Sequence, residues 1–158
     1  MKEVGLTQNK VALVDDKDFE YLNQWKWHVL KDYLTYYAAR NIRLANGKQT
    51  SIRMHRVILN VPKGMVTDHI DHNGLNNQKA NLRICDASEN NMNRKSQRNS
   101  SSKFKGVFWH KRNKKWSAQL TFKGETNYLG FFNSEKDASL AYDKKAIELF
   151  GEFANLNN

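Results

Sequence analysis

Short apolar runs separated by polar turns fill the N-terminal half of the chain. Residues 10–30 predict a short apolar strand, an acidic turn, a helical segment and a Trp-rich strand, in that order. Residues 35–42 and 49–59 continue with aromatic and β-branched runs that are typical of strands. The pattern predicts a small antiparallel sheet and favours Trp25 and Trp27 as residues that pack within it.

Alternation of apolar and polar side chains dominates the C-terminal third. One face of the strand predicted over residues 116–122 carries Trp116, Ala118, Leu120 and Phe122. The other face carries Ser117, Gln119 and Thr121, which can meet a binding partner. Residues 134–151 predict a helix, because Ser134 and Asp137 have capping-box-like spacing and Gly151 is a stop signal. Its apolar stripe comprises Ala138, Ala141, Tyr142, Ala146, Leu149 and Phe150.

The charge of the chain is strongly basic and unevenly distributed. There are 26 Lys and Arg residues against 16 Asp and Glu, a formal net charge of +10 and a pI of about 9.7. Residues 1–93 hold 13 basic and 10 acidic side chains, residues 94–158 hold 13 and 6, and residues 90–124 contain no acid. A basic stretch interleaved with aromatic residues is typical of a nucleic-acid-binding face, although a solvated surface can carry the same charge.

Size and cysteine content limit the class of protein. With 158 residues, of which 39% are hydrophobic, the chain can bury one modest core or two small ones. The single cysteine, Cys85, excludes an intramolecular disulfide and a multi-cysteine structural zinc site, and is expected to be a small buried filler. The sequence has no long apolar run and no cleavable signal, so we expect a cytoplasmic protein that does not engage a membrane.

A set of polar residues with regular order lies in residues 66–94, VTDHIDHNGLNNQKANLRICDASENNMNR. Asp68 and His69 are adjacent, Asn81 lies thirteen residues after Asp68, and Asn90 lies nine further on. An Asp beside a His can place a metal ligand next to a general base, as phosphodiester hydrolysis near neutral pH requires. The order and spacing resemble the catalytic motif of HNH endonucleases.

The resemblance implies a role for each matched residue. Asp68 is expected to be a metal ligand and His69 the general base. Asn81 is expected to tie the loop together and to help hold the base imidazole in place. Asn90 is expected to be the last metal ligand, with the adjacent Asn91 as the alternative.

The donor types suit a hard divalent cation. A carboxylate and an amide oxygen favour Mg²⁺ or Mn²⁺, and a set of two protein ligands leaves room for water and phosphate. An isolated Asp-His pair would more simply be a solvated turn, but the two asparagines in register favour a metal site. Residues 54–65 resemble the lead-in of the same family, with His55 and Arg56 at its basic pair. His72 is a spare imidazole, expected to be structural or to contact phosphate.

A second resemblance covers residues 104–157, which resemble an Apetala-2/ethylene-response-factor DNA-binding domain. The matching segments are Gly106-Val107 and residues 116–119, 128–132, 135–138, 141–143 and 153–157. That family folds as a three-stranded antiparallel sheet packed on one helix and lays the sheet in the DNA major groove. By alternation and family position, the DNA-facing candidates are Lys105, Phe108, His110, Arg112, Gln119, Thr121, Thr126 and Tyr128.

This chain departs from the usual residues of that second family. Phe108, His110 and Thr121 stand at positions normally held by Arg, and Tyr128 replaces the usual Trp, so its base code cannot be transferred. Further basic residues are candidates for phosphate contact, with ordinary solvated surface as the alternative for each. They are Arg40, Arg43, Arg53, Arg56, Arg94, Lys95, Arg98, Lys111, Lys114 and Lys115.

The expected fold is α+β, with a small N-terminal antiparallel sheet leading into a ββα-metal HNH motif, followed by a three-stranded antiparallel sheet packed on one helix. The expected domains are an HNH nuclease domain at residues 1–93, a basic linker at 94–103 and an Apetala-2-type domain at 104–158. Together they imply a phage-type homing endonuclease that hydrolyses double-stranded DNA. One metal site per chain implies a monomer that nicks one strand, whereas a dimer could cut both.

Two other functions fit the same features. The first is a sequence-specific DNA-binding regulator with an inactive HNH site. The second is a metal-independent RNA-binding protein, since basic and aromatic surfaces also suit single strands.

Overall fold

The computed structural model describes residues 1–32, 35–96 and 100–157. The contacts of the chain divide it into two compact units, Met1–Asp86 and Ala87–Asn158. Both units combine small antiparallel sheets or hairpins with helices, so the α+β class is confirmed. In the described part of the chain, no helix is long and apolar enough to cross a membrane.

Within residues 1–32 and 35–86, the N-terminal unit contains seven strands and two short α-helices, joined by polar turns. They are β1 (Lys2–Gly5), β2 (Val11–Val14), α1 (Asp16–Leu22), β3 (His28–Lys31), β4 (Tyr36–Arg43), β5 (Gln49–Arg53), α2 (Met54–Leu59), β6 (Val66–His69) and β7 (Leu82–Cys85). β1 pairs with β2, β4 is the central strand of a sheet ordered β3-β4-β5, and β6 pairs with β7, all antiparallel. The small antiparallel sheet expected from the apolar runs is therefore present.

The run over residues 49–59 is not one strand, because β5 ends at Arg53 and α2 begins at Met54. Met54, Val57 and Ile58 have helical spacing, and all three pack against the core of the unit. That core consists of Val4, Ala12, Val14, Leu22, Trp27, Ala38 and Met54. Cys85 is fully buried, as expected of a filler.

The two tryptophans of the Trp-rich segment have different environments. Trp27 is buried, and its indole N–H donates to the carbonyl of Leu22 at 2.8 Å. Trp25 is exposed, and the Arg40 guanidinium lies 4.1 Å from the centre of its ring. Packing was thus correctly predicted for Trp27, whereas Trp25 serves as a surface platform for an arginine.

The C-terminal unit begins with α3 (Ala87–Met92) and continues with β8 (Val107–His110), β9 (Lys115–Phe122), β10 (Glu125–Phe132) and α4 (Glu135–Phe150). The strands form an antiparallel sheet of order β10-β9-β8, and α4 packs on one of its faces. The Ser134 hydroxyl accepts the Asp137 amide at 3.0 Å, and α4 ends before Gly151, so both helix boundaries are as predicted.

A β-bulge in β10 changes which side chains face outward. Tyr128 pairs with Gln119, but Gly130 pairs with Ala118, so Leu129 is an extra residue in the ladder. Gly130 has a φ of +113°, which a side chain at that position would oppose. Simple alternation from Tyr128 would turn Phe131 toward α4, whereas the bulge places it on the face opposite α4.

Ser117, Gln119 and Thr121 were all expected to be open to a partner, and for Ser117 that prediction is wrong. It is fully buried, because its cross-strand neighbours on that face are Phe108 and Phe131. Gln119 and Thr121 on the same face are exposed, as expected.

The division of the chain falls after residue 86, whereas the sequence analysis placed a boundary after residue 93. α3 groups with the C-terminal unit because Met92 packs in a cluster with Leu120, Tyr142 and Phe150. The Lys105 ammonium also donates to the Met92 carbonyl, which ties the end of α3 to the start of the sheet.

Candidate active site

Asp68 and His69 end strand β6, and both are buried, with 5% and 6% of their surface exposed. Asp68 lies opposite Arg83 in the β6–β7 ladder. The Asp68 Oδ2 atom is 2.6 Å from Arg83 Nη2 and 2.8 Å from Arg83 Nε. The expected metal ligand is therefore held in place by Arg83, a residue for which the sequence predicted no role and whose side chain is 12% exposed.

The imidazole of His69 sits among aromatic rings. Its ring centre lies 5.0 Å from that of His55 and 5.7 Å from that of Tyr37. Burial lowers the pKa of His69, and the nearby carboxylates of Asp71 and Asp68, with a hydrogen bond involving Asn77, oppose that change only in part. The ring is thus neutral at physiological pH, the state in which an imidazole can accept a proton.

His55 is the second imidazole of this cluster. It is 4% exposed, and within the described residues its Nδ1 atom is buried without a hydrogen-bond partner. Burial is the main cause that lowers the pKa of His55 to about 3, and repulsion from His69 when it is protonated, from Arg53 and from Arg56 adds to it. His55 is therefore a neutral packing partner of His69, with the Tyr37 ring edge-on at 5.5 Å.

The loop of residues 70–81 is closed by a clasp between Asp71 and Asn81. Asn81 donates from Nδ2 to Asp71 Oδ1 at 2.9 Å and accepts the Asp71 amide on its own Oδ1 at 3.0 Å. Asp71 also accepts the Asn73 amide at 2.8 Å and the Asn76 side chain at 2.8 Å. These bonds place Asn81 across the loop, and its expected role in holding the imidazole of the base stays a prediction.

Those hydrogen bonds also determine the charge of Asp71. Its partial burial raises the pKa, but the hydrogen bonds from Asn76, Asn73 and Asn81 and the charge of His69 outweigh burial and lower it overall. Asp71 is therefore ionised at neutral pH and is the acceptor at the centre of the loop.

Two strands outside the β6–β7 hairpin support the same loop. The amide of Asn77 donates to the Leu13 carbonyl at 2.8 Å, and the amide of Leu13 donates to Leu75 at 2.9 Å, so the loop is fastened to β2. Gly74 lies so close to β4 that a Cβ atom there would be 2.5 Å from the Tyr36 carbonyl and 2.6 Å from the Tyr37 ring. A side chain at position 74 would push the loop away from Tyr37, the ring that also contacts His69.

Asn90 and Asn91 lie on α3, which belongs to the C-terminal unit, and Asn90 is the more buried of the two. No cluster of three or more His, Cys, Asp or Glu side chains able to hold a metal occurs in residues 1–32, 35–96 and 100–157. The expected ligand set is of another kind, one carboxylate and one amide. The donor chemistry of Asp68 fits a hard cation, although its Oδ2 atom is already shared with Arg83.

Comparison with known proteins bears on this hairpin. Residues 60–92 match the family model described as HNH endonuclease. The chain is 30% identical over 145 residues to the uncharacterized HNH endonuclease L560 of Acanthamoeba polyphaga mimivirus, covering 88% of this chain and 74% of that protein. The chain belongs to the HNH endonuclease family. This HNH endonuclease is also 33% identical over 94 residues to Protein 3.8 of Escherichia phage T7, covering 60% of this chain and 77% of that protein.

The chain is also similar to a plant protein that is named as a transcription factor. The Ethylene-responsive transcription factor WRI1 of Arabidopsis thaliana is 40% identical over 58 residues, 35% of this chain and 14% of that protein. No solved structure matches the chain. Membership of the HNH family implies a DNA substrate and a nuclease activity that generally depends on a divalent metal ion.

Most DNA-facing candidates predicted from the sequence lie on the sheet face opposite α4 or at its β8–β9 turn. Exposed among them are Arg112, Gln119, Thr121, Thr126 and Tyr128, and half-buried are Phe108 and His110. The His110 ring is fixed, because its Nδ1 accepts the Asn113 amide at 3.2 Å and its centre is 4.9 Å from that of Phe131. DNA contact by these residues stays a prediction.

Lys105 is not on that face. It precedes β8, its amide donates to Asn157 at 2.7 Å, and its ammonium is directed to the Met92 carbonyl. Burial, and to a lesser extent the charge of Arg94, lowers the pKa of Lys105 to about 8. Arg94 and Lys95 are exposed, whereas Arg98 lies outside the described residues.

The structure brings residues to the site for which the sequence predicted no role there. Arg83 could have been found from the β6–β7 register, because it faces Asp68. Asp71 could have been found from the turn pattern Asp71-x-Asn73, in which an aspartate accepts the amide two residues on. Tyr37 had no local signal, since only the fold brings it to His69. Arg53 and Arg56, named for phosphate contact, bind within the unit: Arg53 pairs with Asp32 at 3.3 Å, and Arg56 donates to the Met65 carbonyl at 3.1 Å.

Protonation of the buried histidine pair should make the fold acid-sensitive. Unfolded His55 takes up a proton below pH 6.5, whereas folded His55 does so only near pH 3. The free energy of unfolding should therefore fall as pH falls from about 6.5 towards 3, by about 1.4 kcal/mol per pH unit for this group. Urea unfolding at a series of pH values measures the slope. His55→Phe should flatten it, and an unchanged slope in that variant would contradict the assignment.

Loss of the buried ion pair should destabilise the N-terminal unit. The Arg83 and Asp68 side chains are 12% and 6% exposed, so Arg83→Ala leaves a buried carboxylate without its cation. We expect a loss of about 3 kcal/mol in the free energy of unfolding, measured by urea titration. The matched control is Lys79→Ala, which removes the exposed partner of Asp18 and should change it by less than about 1 kcal/mol. Equal losses of stability in Arg83→Ala and Lys79→Ala would contradict the claim that Arg83 neutralises a buried carboxylate.

Proposed function

We propose that this chain is a homing-type endonuclease that hydrolyses one strand of double-stranded DNA per site, with His69 as general base. The observation that carries the proposal is a neutral, buried His69 next to Asp68, at the mouth of a loop closed by Asp71 and Asn81. The cation would be held by Asp68 and Asn90, with Asn91 as the alternative to Asn90, and Mg²⁺ or Mn²⁺ suits those oxygens.

His69 accepts a proton from water, and the resulting hydroxide attacks the phosphorus atom. The bond to the 3′ oxygen then breaks, and that oxygen takes a proton from a solvent water, which leaves a 5′-phosphate and a 3′-hydroxyl. When bound, a divalent cation offsets negative charge on the phosphate and on the departing oxygen. The other residues contribute by position: Asn81 and Asp71 hold the loop that follows His69, and Tyr37 and His55 limit rotation of its ring.

The C-terminal unit is proposed to bind the duplex through the sheet face opposite α4, as an Apetala-2-type domain. Three features support this. The three-stranded sheet packs on one helix, the exposed face carries Gln119, Thr121, Thr126 and Tyr128, and 58 residues of the chain are 40% identical to a plant protein named as a transcription factor. A monomer with one catalytic site would leave a nick.

One observation favours a second candidate, a DNA-binding regulator with an inactive nuclease site. The Asp68 carboxylate already pairs with the Arg83 guanidinium, a fixed positive charge that opposes a cation at the same oxygen. In that case the HNH fold would be kept while hydrolysis is lost.

Supercoiled plasmid, incubated at low ionic strength with Mg²⁺, with Mn²⁺ and with chelator, separates the two candidates. The nuclease predicts open circles with either metal and none with chelator. The regulator predicts a shift of the plasmid on native gels with its topology unchanged in every condition. Linear product at early times would show that both strands are cut together and would contradict the single-strand proposal.

A further inference from the structure

The sheet face opposite α4 carries an aromatic cluster. Phe108 and Phe131 flank the fully buried Ser117 on the ladder, and Phe131 has edge-on contacts with His110 at 4.9 Å and with Tyr128 at 5.5 Å between ring centres. Tyr128 is 53% exposed and Phe131 is 40% exposed. These rings contact each other, and α4 packs on the opposite face of the sheet.

The bulge in β10 determines that Phe131 joins this cluster. Without the extra residue Leu129, Phe131 would pair with Trp116 and point to α4. The bulge, with Gly130 at positive φ, therefore keeps a large apolar ring at the surface. A cluster of exposed apolar rings, unlike a single exposed apolar residue, is typical of a contact surface.

Positive charge borders the aromatic cluster. Residues 107–132 of the sheet hold five cations, Lys111, Arg112, Lys114, Lys115 and Lys123, and one acid, Glu125. Helix α4 is close to balanced, with the acids Glu135, Asp137, Asp143 and Glu148 against the cations Lys136, Lys144 and Lys145. The excess of positive charge on the strands and their turns fits a polyanionic partner.

The side chains at the outward positions restrict which bases that partner could present. Recognition of guanine in the major groove normally uses Arg or Lys, recognition of adenine uses Asn or Gln, and the thymine methyl group is met by apolar side chains. The outward positions of the strands carry Phe108, His110, Lys115, Ser117, Gln119, Thr121, Thr126, Tyr128 and Phe131. Lys115 is the first residue of β9, at the end of the face beside the β8–β9 turn, whereas Gln119, Tyr128 and Phe131 lie further along the sheet. Gln119 and Tyr128 are direct cross-strand partners, so an amide and an apolar ring lie side by side.

We propose that this face selects A·T base pairs in the major groove, with Tyr128 and Phe131 contacting the 5-methyl groups of thymine and Gln119 bonding adenine. The inference rests on the proposed binding of duplex DNA by the C-terminal unit and adds the base class that it reads. Phosphates are contacted by the lysines and arginine at the β8–β9 turn, which carry no base preference.

The test uses the full chain with His69→Ala, in chelator, so that bound DNA stays uncut. Duplexes selected from a randomised library should be enriched in A·T pairs within the protected segment. The selected duplex is then prepared twice, once with thymine and once with deoxyuridine, which differs only by the missing methyl group. We expect weaker binding of the deoxyuridine duplex, by about three- to fivefold for each contacted methyl group.

Substitutions test whether the aromatic cluster causes the preference for thymine over deoxyuridine. Phe131→Ser and Tyr128→Ser, made separately, should each lose the discrimination of about three- to fivefold that one ring supplies. The double variant should bind the thymine and deoxyuridine duplexes alike. The matched control is Ile147→Ser on α4, which is 56% exposed and outside the cluster, and it should discriminate as before. Thermal unfolding of each variant checks that the C-terminal unit is folded.

The outcomes separate the inference from the function on which it rests. Selected duplexes without A·T enrichment, or equal binding of thymine and deoxyuridine duplexes, would overturn the inference and leave duplex binding in place. Single-stranded DNA that competes better than duplex would overturn both, because the exposed rings would then be stacking platforms.

Discussion

Replacing His69 with alanine is expected to lower the rate of strand cleavage by about 10²- to 10⁴-fold, the usual contribution of a general base. The imidazole is buried, is neutral at physiological pH, and is flanked by His55 and Tyr37. Alanine removes the proton acceptor but leaves Asp68 and the loop unchanged. Single-turnover cleavage of plasmid, with protein in excess, measures the chemical step apart from binding.

The control for that variant is another histidine of the same loop. His72 has a φ of +63°, so His72→Asn keeps a residue that tolerates this conformation while removing the imidazole. We expect cleavage within about threefold of wild type, because the proposed base is His69 and this variant leaves the His69 imidazole in place. Plasmid binding on native gels should be unchanged in both variants. Equal loss of cleavage in His72→Asn and His69→Ala would contradict the assignment of His69 as the general base.

Asp71→Ala is expected to have the second largest effect. The Asp71 carboxylate accepts hydrogen bonds from the Asn73 amide, the Asn76 side chain and the Asn81 side chain, and all three lose their acceptor together. We expect cleavage to fall by about 10- to 100-fold, since a small displacement of the loop after His69 misplaces the base. Stability should fall by about 1–2 kcal/mol, because the loop is partly solvated.

A pair of asparagine and aspartate variants tests the clasp itself. Asp71→Asn keeps one acceptor oxygen and should retain more activity than Asp71→Ala. Asn81→Asp would place a second carboxylate 2.9 Å from Asp71 and should be at least as harmful as Asn81→Ala. Each variant is measured for cleavage and for urea unfolding. An Asp71→Ala protein that cleaves like wild type would show that the loop does not position His69.

Local patterns predicted the elements of the C-terminal unit well. Alternation identified β9 and its inner face, and capping chemistry identified both ends of α4, because such signals act between near neighbours in sequence. The bulge at Leu129 and Gly130 escaped prediction, since one extra residue reverses every later inward and outward assignment in the strand. Phe131 was therefore absent from the predicted contact surface, and Ser117 was wrongly placed on its open part.

The candidate site was predictable only where its residues are close in sequence. Asp68, His69 and Asn81 lie within one hairpin, so their spacing carried the information. Arg83 lies in the same hairpin, and its position opposite Asp68 follows from the β6–β7 register. His55 and Tyr37 reach the site through tertiary packing, which depends on partners far along the chain. Burial of His69 and the resulting low pKa likewise depend on the assembled core and not on the motif.

The most direct test of the central claim is whether this chain hydrolyses a phosphodiester with His69 as the base. Supercoiled plasmid is incubated with wild type and with His69→Ala in Mg²⁺ at low ionic strength, and the products are then treated with DNA ligase. We predict open circles from wild type only, and complete resealing by ligase, because hydrolysis leaves a 5′-phosphate next to a 3′-hydroxyl. Nicks formed equally by His69→Ala, or nicks that ligase cannot seal, would contradict the account.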